Sequence, residues 1–216
     1  MTVPDTSVRR IGLWAAVLCT VFSLTYVAAQ LGEWAGLLGS AGGPHSRSTP
    51  LGLAVLLTPS LLLGLSFVVL TVSIHYDADP ASRIWSHIAV AFASMYATLI
   101  GIVYYVQLTF VGPRLVEGRT EDIQLLLFEP FDSFLYAVDM LGYTLMSVST
   151  LFAAAVFEGT GLQAWIRRAL LANGALIPFL ALQMYVPALI WGGSLWAITF
   201  PAATGLLALH FRRPPE

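Results

Sequence analysis

The segment from Phe131 to Tyr143 carries the side chains most able to do chemistry. Asp132, Tyr136, Asp139 and Tyr143 stand at i, i+4, i+7 and i+11, which is one face of an α-helix. Ser147 and Thr150 continue that stripe, while Leu135, Val138, Leu141 and Leu145 occupy other faces. At the rise of an α-helix, Asp139 lies about 10 Å farther along than Asp132. Asp132 is therefore expected near the edge of an apolar span and Asp139 well inside it. An Asp at the centre of a span costs roughly 2.5–3.5 kcal/mol on insertion scales, so it is expected to face the bundle interior or a wet cavity. Such a group can donate a proton, carry one, or anchor a ligand. The plain alternative is a protonated Asp bonded to a Tyr or Ser of a neighbouring helix, pinning the packing.

The elements that must hold this stripe follow from composition. The chain has 216 residues, 57% of them hydrophobic and only 10% charged, with a mean hydropathy of +0.79. Soluble domains carry about 25% charged residues, so a soluble domain is excluded. Six spans of roughly 20 apolar residues each fill the chain. Charge-free stretches place them at about 11–31, 51–74, 84–110, 132–157, 169–190 and 192–211. The fold class is thus all-α: residues 1–216 form a single six-helix transmembrane domain. The last two spans form a hairpin whose break is expected between Tyr185 and Ser194, at Pro187 or at Gly192-Gly193. The first apolar run exceeds a signal-peptide core, so it is read as a retained helix.

Orientation rests on arginine. Arg9, Arg10, Arg83, Arg167, Arg168, Arg212 and Arg213 fall on one side and Arg47, Arg114 and Arg119 on the other. The positive-inside rule then predicts both termini in the cytoplasm. All basic residues are Arg and none is Lys, a bias that fits a G+C-rich bacterial genome and hence a bacterial cytoplasmic membrane. Between the third and fourth helices, Thr120-Glu121-Asp122-Ile123 and the leucines after it predict a short interfacial helix capped by Thr120. The segment His75 to Pro80 reads as a solvated turn.

With that orientation, polar and aromatic groups collect at the outer ends of the spans. Glu33 and Trp34 close the first helix region, and Tyr104, Tyr105 and Gln107 the third. Gln183, Trp191 and Trp196 flank the last hairpin. Headgroup-level aromatic belts account for part of this pattern, but Tyr136, Asp139 and Tyr143 lie too deep for a belt. The set predicts an outward-opening pocket with aromatic walls, Asp139, Asp132 and Glu33 as its acids, and the Tyr, Trp and Gln residues as its substrate-binding lining.

Other chemistries find no support. Cys19 is the lone cysteine, which excludes a disulfide framework and a thiolate metal site; it reads as a small buried hydrophobe. His75, His87 and His210 fall at one membrane face, but no pair has the i, i+4 spacing of two ligands on one helix. No metal or cofactor is expected. A nucleophile elbow, a P-loop and a Gly-rich dinucleotide turn are absent from the sequence, and a net charge of −2 offers nucleic acid no basic face. Asn173 is a costly polar group within a span that Ser and Thr partners are expected to satisfy.

A deep carboxylic acid, aromatic faces and no cofactor motif suit one reaction type. An acid held neutral in a dry site can protonate an alkene or epoxide, and aromatic rings can stabilise the migrating carbocation. Enzymes that ionise a diphosphate instead need clustered Asp for Mg²⁺, and Asp77-x-Asp79 and Glu129-x-x-Asp132 are too sparse. The small all-helical membrane body, with an acid amid Tyr and Trp, resembles the integral-membrane terpene cyclases of bacterial and fungal prenylated natural products. The likeness is one of architecture over the whole chain. Fungal members carry an early Trp-Glu pair, where this chain has Glu33-Trp34 in reversed order, expected in a loop. The resemblance implies a metal-independent cyclase, or isomerase, that closes a prenyl chain on a lipophilic acceptor. The partners are then a lipophilic prenylated small molecule and membrane lipids. Two rival readings use the same residues. In a small proton- or cation-coupled transporter Asp139 carries the charge and Pro59, Pro178 and Pro201 mark helix breaks; in a lipid-binding or partner subunit Asp139 only pins helices.

Overall fold

A computed structural model describes residues 6–213. Among them the regular structure is helical, and six helices are long and apolar enough to cross a membrane. They are α1 (Thr6–Trp34), α2 (Pro50–Asp77), α3 (Arg83–Val116), α4 (Phe134–Val156), α5 (Leu162–Leu182) and α6 (Pro187–Arg212). Each packs on the next in sequence, and α6 returns to α1, so the bundle closes as a ring. Large apolar side chains such as Trp14, Leu65 and Ile198 point outward. Helices satisfy their own backbone polar groups, which is what permits such a surface to face hydrocarbon.

Small residues set the helix approaches, as they do where lipid supplies no hydrophobic drive. A Cβ on Gly12 of α1 would sit 2.7 Å from the Phe211 ring of α6, and one on Gly142 of α4 would sit 2.9 Å from Ile100 of α3. Inside the ring runs an aromatic column. Phe67 meets Tyr96 and Phe200 edge-on, Phe200 stacks on Trp196, and Trp196 meets Tyr143 at 5.4 Å between centroids.

The helix limits differ from the charge-free stretches in instructive ways. Helix α1 continues to Trp34, so Glu33 and Trp34 belong to its last turn and not to a loop. Helix α5 begins at Leu162 and carries Arg167 and Arg168 within it, because a helix can extend past its apolar stretch. Its regular α-helical pattern breaks at Ala175-Leu176, where the Leu176 N–H bonds the Asn173 carbonyl at 3.1 Å, and Pro178 opens the following turn, where its missing N–H is tolerated. The hairpin break falls at residues 183–186, just before Pro187. Gly192 instead packs under the Phe179 ring, where a Cβ would be 2.0 Å away. Pro59 and Pro201 are buried within helices that run on past them.

Two connecting loops close one end of the bundle together. Ser48 Oγ accepts from the Phe128 backbone N–H at 2.7 Å and donates to its carbonyl at 3.2 Å. The segment Glu121–Leu126 is a 3₁₀ turn, and the Thr120 side chain does not cap it. It is held instead by Gln107, whose Nε2 donates to the Leu126 carbonyl at 2.5 Å. Gln107 opens a π-helical turn over Gln107–Val111 that leads into Gly112-Pro113.

The opposite end is not a simple solvated turn. Asp77 ends α2 only 13% exposed, 2.7 Å from His210 Nε2 and 3.6 Å from Arg9 Nη1. Arg9 also donates to the carbonyls of His210 and Arg213 at the end of α6, as a cation at a helix C-terminus should.

Candidate functional site

The cavity lies where α1 and α5 end and where α4 and α6 begin, beneath the two joined loops. Its volume is about 260 Å³. Helix α4 starts there because Ser133 caps it: its Oγ accepts from the Tyr136 N–H at 3.2 Å. That start fixes the phase of the stripe, so Tyr136, Asp139 and Tyr143 are all buried and all line the cavity.

The walls are aromatic and tied in place. Tyr136 donates its hydroxyl hydrogen to Gln183 Oε1 at 3.1 Å, and Gln183 Nε2 bonds Met140 Sδ. Trp196 meets both Tyr143 and Tyr26 edge-on and donates Nε1–H to Met146 Sδ at 3.3 Å. Trp34 and Trp191 both line the cavity and pack on each other in a tilted pair with centroids 6.3 Å apart. An apolar wall with a few fixed polar groups is the usual form of a small-molecule site.

Asp139 is the cavity's acid. It is 3% exposed, and its Oδ1 is buried without a hydrogen-bond partner among the described residues. The Tyr104 phenol donates to the Tyr143 hydroxyl at 3.2 Å. Tyr104, from α3, and Asp139 both border a smaller side chamber of about 40 Å³. Glu33 borders the same chamber. It is 1% exposed, with Oε1 accepting from Ser46 Oγ at 2.6 Å and Oε2 buried without a partner among the described residues.

The structure thus gathers most of the sequence-predicted set and separates three members from it. Asp132 is exposed in the turn before α4, outside the helix, so the i, i+4 spacing to Tyr136 brings the two onto no common face. Phe131 has φ 68 there, which breaks any helical continuation. Tyr105 is 63% exposed on the outer face of α3; adjacent helical residues diverge by about 100°, and Tyr104 is the one that points in. Gln107 is buried, but it lines neither cavity, and its Nε2 holds the Glu121–Leu126 turn.

Tyr26 and Gln30 line both cavities and were not among the predicted substrate contacts. With Glu33 they stand at i, i+4 and i+7 on α1, and Gln30 Nε2 donates to Tyr26 Oη at 2.9 Å. That spacing was visible, but it reads as a stripe only once α1 is known to continue past residue 31. Asn173 is satisfied as expected, donating to Thr150 at 3.1 Å and accepting from Thr199 at 3.0 Å. Among the described residues no group of three or more His, Cys, Asp or Glu comes together to hold a metal ion. No protein-family model matches the chain, and no curated protein or solved structure matches it.

Proposed function

We propose that this chain is a membrane-embedded enzyme that cyclises a lipophilic isoprenoid by proton initiation, with Asp139 as the general acid. The observation that carries this reading is the unpartnered Oδ1 of Asp139, buried at the wall of an aromatic-lined cavity. An unsatisfied buried polar atom costs about 1–3 kcal/mol, and an acid left that way in a cavity is placed to use its proton on a ligand. In this reading Asp139 protonates a terminal alkene or epoxide. The rings of Tyr26, Tyr143 and Trp196 line the cavity, and aromatic faces there stabilise the developing carbocation. Tyr136, locked by Gln183, sets the position of the prenyl chain. Trp34 and Trp191, both partly exposed, frame an opening through which a greasy chain can arrive from lipid. The protein is placed in a bacterial cytoplasmic membrane with both termini inside, from the arginine distribution, and the Glu121–Leu126 turn then lies at the outer interface.

The test is mass spectrometry of lipophilic molecules that co-purify from the native host with wild type, Asp139→Asn and Tyr136→Leu. A prenylated species that accumulates uncyclised on Asp139→Asn is the expected result, and it identifies the substrate. Bulk phospholipid alone in all three samples would overturn the reading and turn attention to proton flux in liposomes.

A further inference from the structure

The two acid oxygens that are buried without partners among the described residues, Glu33 Oε2 and Asp139 Oδ1, belong to residues that border the same side chamber. One buried orphan oxygen is costly, and two around one small space call for a common explanation. The chamber measures about 40 Å³, and a water molecule needs roughly 10–15 Å³ of such volume, so it has room for about two or three. A buried water also needs two to four polar partners. Besides the two acids, the chamber wall offers Gln30, Ser46, Tyr26 and Tyr104. Arg47, which is exposed, also borders the chamber and connects it to bulk solvent in this reading.

We propose that Glu33 is the residue that recharges Asp139, and that the side chamber carries the proton between them through ordered water. This rests on the proton-initiated chemistry proposed above. When Asp139 gives its proton to the substrate, it is left as a carboxylate on the wall of both cavities. The Glu33 carboxyl releases its Oε2 proton to chamber water, and that water delivers a proton to Asp139 Oδ1. Glu33 is then reprotonated from bulk solvent along the Arg47 side. The cyclised cation loses a proton from carbon to water at the mouth of the main cavity, forming the product alkene. One proton enters and one leaves, so the net reaction is an isomerisation. Glu33 does not line the main cavity; it acts through Asp139, and the Ser46 hydroxyl on Oε1 keeps Oε2 toward the chamber.

The test needs no substrate. Infrared spectroscopy of the purified full chain in nanodiscs resolves protonated-carboxyl bands, assigned by their loss in Asp139→Asn and in Glu33→Gln. On transfer to D₂O, the Asp139 band in wild type is expected to shift rapidly, and Glu33→Gln to slow that exchange by roughly tenfold or more. Glu33→Asp should restore most of the rate, which a purely structural role of Glu33 would not produce. Leu56→Phe fills the chamber from α2 while keeping both acids, and serves as the second variant if Glu33→Gln fails to fold; it too should slow exchange. An Asp139 band that exchanges at the wild-type rate in both variants overturns the relay, and so does the absence of a protonated Asp139 band in wild type. Slowed exchange together with no prenylated species on any variant would leave the relay standing and overturn the cyclase reading alone.

Discussion

Where α1 begins and α2 and α6 end, a carboxylate is surrounded by partners: Asp77 holds His210 and Arg9, and Arg9 reaches on to the carbonyls that close α6. At the other end of α1 the arrangement is reversed. Glu33 and Asp139 are more deeply buried than Asp77, and each keeps one oxygen free of protein partners among the described residues. The same fold therefore contains an acid used as mortar and a pair that is not. Ionic partners offset the desolvation of a buried charge, and removing one partner strands the other. The contrast is between an acid neutralised by its neighbours and two acids that border the cavities with one oxygen each free of protein partners among the described residues.

The sharpest way to break this contrast is to neutralise each acid in turn. Asp139→Asn should lower turnover by roughly 10²–10⁴-fold, the usual contribution of a positioned general acid, while the melting temperature in detergent stays level or rises. Asp77→Asn should do the opposite. It leaves Arg9 and His210 short of their partner and costs about 1–3 kcal/mol of stability, read as a lower melting temperature, with turnover per folded molecule unchanged. A drop in stability for Asp139→Asn, with retained turnover, would make both acids structural.

Smaller effects test how the cavity end is shaped. Gly42 has φ 70, and a Cβ there would fall 2.1 Å from Trp34 Cδ1. Gly42→Ala should cost about 1–3 kcal/mol through backbone strain and the clash, and it should raise KM more than it lowers kcat because it displaces a wall and not the acid. Ser133→Ala removes the cap of α4 and should cost about 1 kcal/mol, seen as a modest fall in melting temperature. Asp132→Asn should change stability by less than about 0.5 kcal/mol and leave turnover intact, since Asp132 is exposed and outside the helix.

How much of this was legible in the sequence depends on which physical signal each feature leaves. Apolar length alone predicted six spans, because a lipid-facing surface must be built from such runs. The Tyr136, Asp139 and Tyr143 stripe was legible because an acid inside hydrocarbon has few places to point. Glu33 was legible as a residue type but not as part of a helix: a charge near the end of an apolar run looks like the end of the span. Its burial comes from Ser46 and the loop folding over it, contacts that no periodicity encodes. Asp132 misled in the converse way, since its spacing fits a helix that the Ser133 cap does not allow to begin so early. The pairing of Asp77 with Arg9 and His210 joins residues more than a hundred positions apart in one case, and only ring closure of α6 on α1 brings them together.

Deuterium tracing tests the central assignment most directly. The prenylated species retained by Asp139→Asn is supplied to wild-type protein in nanodiscs in D₂O, and the product is analysed by mass spectrometry and NMR. Where cyclisation begins at an alkene, proton initiation by Asp139 predicts a single carbon-bound deuterium at that position. Where it begins at an epoxide, the deuteron goes to the hydroxyl oxygen, and the test is that Asp139→Asn gives no conversion. A product cyclised from an alkene yet free of carbon-bound deuterium, or conversion by Asp139→Asn at the wild-type rate, would contradict it.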